Sequence, residues 1–99
     1  MKNRDKKKIE RIKSIIIKVL KKHDVKKASL FGSIVRGEST GNSDIDLLVE
    51  FEGEKSLLDL AGLKIELQEL LGREVDVITY RSLHPLLREK ILNEQEEIL

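Results

Sequence analysis

Residues Asp44 to Tyr80 constrain this chain more than any other stretch. From Asp44 to Phe51 the pattern has a period of two: Ile45, Leu47, Val49 and Phe51 on one face, Asp44, Asp46, Leu48 and Glu50 on the other. That is a strand with one buried face, and Leu48 predicts partial cover on the second. Gly53 then turns the chain, and Ser56 with Asp59 forms a capping pair for a helix that runs to Leu71 and stops at Gly72. Glu74 to Tyr80, rich in Val, Ile, Thr and Tyr, is a further strand. A helix between two strands makes a crossover connection, which brings the second strand beside the first and commits the chain to an α/β fold.

The flanks fit that frame. Ile9, Ile12, Ile16, Val19 and Leu20 recur at helical spacing between Arg4 and His23, with Lys and Arg opposite. Lys26 to Phe31 is a short strand ending at Gly32, and Gly37 to Ser43 is a Gly/Ser/Thr/Asn-rich loop. The last segment is helical from about Leu83, with Pro85 in its first turn and Leu83, Leu87, Ile91 and Ile98 as its apolar stripe. The expected architecture is a single domain over residues 1–99, with a mixed sheet of at least three strands packed with helices.

Composition narrows the function classes. Cysteine is absent, which excludes disulfides, thiolate catalysis and zinc–thiolate sites and suits a reducing cytoplasm. Aromatics are Phe31, Phe51 and Tyr80 only, too few for a base-stacking platform, so direct nucleic-acid binding is not expected. The apolar run Ile15 to Leu20 is short and interrupted by Lys18, so neither a membrane span nor a signal peptide is expected. Residues 1–27 carry twelve Lys/Arg against three Asp/Glu, whereas the remainder carries seven against fifteen. A basic arm of this kind is a solvated helix face or else a contact for nucleic acid or an acidic partner, the solvated face being favoured because few aromatics or Gly-Arg runs accompany it. The helix from Ser56 to Leu71 has leucines around more than one face, which fits a wide core stripe or a partner interface.

The chemistry lies between Phe31 and Asp76. Asp44 and Asp46 sit at i and i+2 on a strand and project from one face, so they repel one another unless a cation sits between them. Mg²⁺ is the natural candidate, because it takes hard oxygen ligands and leaves positions open for phosphate. Asp76, between Val75 and Val77, is costly in an apolar strand unless compensated, and the crossover would carry it towards the first two. Three carboxylates can hold two metals. Gly32 lets phosphate approach the backbone where a short helix begins, the Ser33 hydroxyl can donate to a phosphate oxygen, and Arg36 adds positive charge one turn on. Plainer readings stand beside these: Asp44 and Asp46 as exposed strand residues, Ser33 as a helix cap, Arg36 as an ion-pair partner of Glu38 or of the aspartates, and Asp76 as a surface residue or a salt-bridge partner of Arg73 or Arg81. His23 and His84 read as helix-end residues.

Gly32-Ser33, ten residues, then Asp44-Ile45-Asp46 resembles the signature of the DNA polymerase β-like nucleotidyltransferase superfamily. Arg36-Gly37 and Asp44-Ile45-Asp46-Leu47-Leu48-Val49 resemble its minimal nucleotidyltransferase (MNT) branch. The resemblance implies that Gly32, Ser33 and Arg36 bind the nucleotide, and that Asp44, Asp46 and Asp76 are catalytic and bind Mg²⁺, with two ions expected. Ile34-Val35 departs from relatives that place a basic residue and then Ala there. The resemblance further implies transfer of AMP from ATP to a tyrosine hydroxyl of a HEPN-type helical toxin, with this chain as antitoxin of a type VII toxin–antitoxin pair. Two other functions fit the same residues: an antitoxin acting by complex formation alone, and a small-molecule nucleotidyltransferase whose helical partner supplies the acceptor site.

Overall fold

The structure is a computed structural model that describes residues 3–36 and 44–99, apart from the side chains of residues 3–7, Ser33 and Arg36. The predicted loop Gly37–Ser43 lies outside the described residues. The element order is α1 (Asn3–Lys22), β1 (Val25–Phe31), α2 (Ser33–Arg36), β2 (Ile45–Phe51), α3 (Leu57–Leu71), β3 (Val75–Thr79), α4 (Pro85–Glu94) and β4 (Glu96–Glu97), with one 3₁₀ turn at Tyr80–Ser82 before α4. The sheet order is β3-β2-β1-β4. β2 pairs with β3 in parallel through the α3 crossover, and β1 pairs antiparallel with both β2 and β4.

Local signals set the ends of α3. The Ser56 hydroxyl accepts from the Asp59 N–H, and the Ser56 N–H donates back to the Asp59 carboxylate at 2.8 Å, a reciprocal capping box. Those hydrogen bonds, with Lys55 nearby, hold the Asp59 carboxyl below its usual range. Gly72 ends the helix at φ 63°, a left-handed conformation that favours glycine, and its N–H returns to the Gln68 carbonyl. The Gln68 side chain then accepts from the Val75 N–H at 3.1 Å, tying the helix end to the first residue of β3.

Side-chain alternation divides the core between the two faces of the sheet. Ile45, Leu47, Val49, Ala28, Leu30 and Val75 point towards α1 and α3, where they meet Ile12, Ile16, Leu20, Leu63 and Leu67. Fully burying one such leucine stabilises the fold by about 1.5–3 kcal/mol. The other face holds a smaller cluster of Phe31, Leu48 and Leu83, covered by Ile91 and Leu92 of α4 and by Ile78 and Tyr80. The single apolar residue on the second face of β2 is therefore completely buried.

The C-terminal reading needs correction. The helix ends at Glu94, Gln95 is extended, and Glu96–Glu97 form a fourth strand. Ile98 is not part of a helical stripe; its N–H donates to the Ala28 carbonyl, and it packs with Leu99 on the larger core. The driving force is the outer edge of β1, whose backbone groups beside buried residues need partners. Leu87 is 52% exposed, and Leu92 takes the core position expected of it.

Candidate active site

β1 ends at Phe31, and Gly32 turns the chain into α2 with φ 79°. The turn is closed by the Val35 N–H donating to the Gly32 carbonyl at 3.1 Å. Phe31 is the register partner of Asp46 on β2, so the turn lies directly beside that aspartate. The space where a Cβ at position 32 would project is occupied by the Asp46 carboxylate. Glycine here serves two purposes: it adopts a backbone conformation that other residues resist, and it leaves room for a carboxylate against the turn.

The crossover then delivers Asp76. In the parallel ladder Ile45 is opposite Val75, and Asp46 is opposite Asp76. Both aspartates are half-buried, and each shares its face with an apolar residue of the smaller cluster, Leu48 on β2 and Ile78 on β3. A hydrogen bond from the Ile45 N–H to the Glu74 carbonyl (3.0 Å) continues the pairing to the strand starts. Asp46 and Asp76 thus stand side by side at the entry ends of β2 and β3. Asp44 lies just before β2 and is exposed. The structure brings Asp46, Asp76 and Gly32 together; among the described residues it gathers no group of three Asp, Glu or His side chains that could hold a metal ion. Ser33 and Arg36 open and close α2, and their side chains are outside the described atoms.

Two carboxylates on neighbouring strands repel, and a hard divalent cation with phosphate oxygens is the chemistry that best relieves such a pair. The donor set is all oxygen, which suits Mg²⁺. A cleft of about 610 Å³ lies elsewhere, at the far ends of β2 and β3, among Lys26, Glu50, Lys55, Tyr80 and Arg81.

One polar feature of this face was not foreseen. Ser29 is completely buried, and its hydroxyl shares a 2.8 Å hydrogen bond with the Tyr80 hydroxyl. The Lys27 ammonium stands 5.0 Å from the centre of the same ring, within cation–π range. The sequence signal was Ser29 itself, the one polar residue in the run Ala28–Phe31. The two histidines act as expected: His84 caps α4 by accepting from the Leu86 N–H, and His23, just past α1, hydrogen-bonds Glu66 at 3.0 Å. No helix among the described residues is long and apolar enough to cross a membrane.

Residues 14–99 match the family described as Polymerase beta, Nucleotidyltransferase. The chain belongs to the polymerase β nucleotidyltransferase family. This nucleotidyltransferase is 59% identical over 91 residues to MJ0435 of Methanocaldococcus jannaschii, provisionally named a protein adenylyltransferase, covering 92% of this chain and 98% of that one. It superposes on the solved structure of a provisionally assigned minimal nucleotidyltransferase with a TM-score of 0.78 and 39% identity, over 91% of this chain and 92% of the other. A crystal structure of a toxin–antitoxin with AMP-PNP aligns at a TM-score of 0.77 and 26% identity, over 88% of the nucleotidyltransferase and 72% of that chain. The α/β architecture with a mixed sheet, expected from the sequence, is the minimal nucleotidyltransferase fold.

Proposed function

We propose that this chain is a Mg²⁺-dependent protein adenylyltransferase that moves AMP from ATP to a tyrosine hydroxyl of a HEPN-type toxin and thereby acts as its antitoxin. The observation that carries the reading is the register of Asp46 opposite Asp76, with the Asp46 carboxylate seated against the Gly32 turn. The name of MJ0435 supports the reaction type, and the toxin–antitoxin structure with AMP-PNP supports an adenine nucleotide as substrate and a toxin as partner.

In this proposal the Gly32–Ser33 turn holds the triphosphate through backbone N–H groups and the Ser33 hydroxyl, and Arg36 adds a positive charge. Asp44, Asp46 and Asp76 hold Mg²⁺, two ions being the expected number. Bound Mg²⁺ supplies charge neutralisation for the triphosphate and for the departing pyrophosphate. The acceptor oxygen attacks the α-phosphorus; the new O–Pα bond forms as the bond to the bridging oxygen breaks, and pyrophosphate leaves. Asp76 takes the acceptor's proton. The remaining contribution of the protein is alignment, since a fixed attack geometry can remove about 7–11 kcal/mol of barrier.

The test uses the full chain with its HEPN-type partner and Mg²⁺. ATP labelled at the α-phosphate is expected to label the partner, whereas ATP labelled at the γ-phosphate is not. Asp46→Asn should abolish transfer while the complex still forms. A stable, neutralised complex with no label transferred would refute enzymatic action and leave an antitoxin that works by binding.

A further inference from the structure

Asp76 stands on a strand at the edge of the sheet. Across the entry ends of the strands the order is the Gly32 turn after β1, then Asp46 on β2, then Asp76 on β3, and β3 has no neighbour beyond it. The Ile45 N–H donates to the Glu74 carbonyl, so residues 74, 76 and 78 turn their backbone groups towards β2, and Val75, Val77 and Thr79 turn theirs outward. The outward Val75 N–H is taken by the Gln68 side chain. The Val75 carbonyl, both backbone groups of Val77 and the Thr79 N–H have no partner among the described residues. The opposite edge is protected. There β1 is covered by β4, two acidic residues long, and a short charged edge resists further pairing. β3 has five residues, all β-branched apart from Asp76, with no Lys, Arg, Pro or Gly to discourage a further strand.

In-line transfer fixes the side from which an acceptor arrives. The attacking and leaving oxygens lie on opposite sides of the α-phosphorus. With the triphosphate on the Gly32 turn, pyrophosphate departs on the β1 side of Asp46, so the acceptor hydroxyl enters on the Asp76 side, across the edge of β3. A protein acceptor that crosses there meets a row of free N–H and C=O groups. We propose, on the adenylyltransferase reading, that the acceptor tyrosine is carried by an extended segment of the partner, which adds to the outer edge of β3 as a further strand. Neighbouring strands lie about 4.8 Å apart, so a tyrosine opposite Asp76 projects from the same face as that carboxylate. Asp76 sits between outward-bonding residues, the positions at which antiparallel side chains come closest. The residue two along from the tyrosine faces half-buried Ile78, which favours an apolar side chain there. A tyrosine presented on a helix would leave the Val77 groups without partners, because a helix uses its own backbone groups internally.

Residue-resolved amide exchange tests this on the intact chain with its HEPN-type partner, Mg²⁺ and an ATP analogue whose methylene bridge between the α- and β-phosphates blocks transfer. In the chain alone the Val77 N–H should exchange faster than that of Ile78, and the partner should slow it roughly tenfold or more. Val77→Pro removes the outward donor and leaves the bonds to β2 in place, a position at which an edge strand tolerates proline. The variant should bind Mg²⁺–ATP as the unmodified chain does, while kcat/KM for labelling the partner falls about tenfold or more. A misfolded variant would lose nucleotide binding as well. Label transfer with Val77 unprotected, or with Val77→Pro as active as the unmodified chain, would overturn strand addition and leave the reaction standing. Protection of Val77 by the partner without label transfer from ATP would refute the reaction and support the edge as the docking surface. A slow Val77 N–H in the chain alone, with a dimer on sedimentation, would place a second copy on the edge and overturn the inference.

Discussion

Gly32→Ala tests whether the turn after β1 and the Asp46 carboxylate form one unit. At φ 79° alanine is strained by roughly 1–2 kcal/mol. Its methyl group would also overlap the Asp46 carboxylate, which must then leave its place. Gly72→Ala is the internal control: φ is 63°, so the backbone strain is of the same kind, but nothing lies within 4 Å of the added methyl. Both variants should lose stability, with melting temperatures lower by about 4–8 °C for each kcal/mol in a domain of this size. Only Gly32→Ala should lose adenylyl transfer. Displacing a reacting or ligating group by 1 Å costs about 100-fold, so a fall of that order is expected under saturating ATP and Mg²⁺. Thermal melts and initial rates of label transfer on the same preparations supply both numbers. Gly32→Ala retaining wild-type transfer, or Gly72→Ala losing as much, would refute the reasoning, because backbone strain alone would then account for everything.

The remaining predictions concern charge and hydrogen bonding. Asp76→Asn removes one of two facing carboxylates, so without Mg²⁺ its melting temperature should equal or exceed that of the unmodified chain; if Mg²⁺ binds the pair as proposed, it should stabilise the unmodified chain by about 2.7 kcal/mol at a hundred times Kd, and that gain should be absent from Asp76→Asn in melts with added metal. Tyr80→Phe leaves the buried Ser29 hydroxyl without its partner and should cost about 1–3 kcal/mol in urea titrations, while adding Ser29→Ala should recover part of that loss; strict additivity would mean the 2.8 Å contact is not stabilising. His23 and Lys22 donate to the Glu66 carboxylate and hold its pKa below the ordinary 4.5. A carboxyl that binds protons more weakly in the folded state stabilises the fold above about pH 4.5 and loses that contribution as pH falls through its lowered pKa. The difference in melting temperature between Glu66→Gln and the unmodified chain should therefore be present at pH 6 and shrink below 4.5; a difference that grows on acidification would contradict this.

The sequence by itself determined the strand Ile45–Phe51, read one residue too long at Asp44, the capped helix ending at Gly72 and the strand around Asp76. Each is written in local chemistry: alternation, a Ser56–Asp59 box, a glycine able to adopt positive φ. It also marked Gly32, Ser33, Asp44, Asp46 and Asp76 as candidate site residues through spacing and residue type, and of these the structure brings Gly32, Asp46 and Asp76 together. Three things depended on tertiary structure. The register that sets Asp46 against Asp76 arises from how α3 packs across the sheet, and no local pattern encodes it. The Asp46 carboxylate filling the space above Gly32 requires β1 and β2 to be paired. The C-terminal residues had a helix-compatible spacing, with Ile91 and Ile98 seven apart, yet became a strand because the open edge of β1 offers backbone partners that a continued helix could not satisfy. Local chemistry sets what each segment can be; long-range pairing decides which segments meet, and with them which charges stand together.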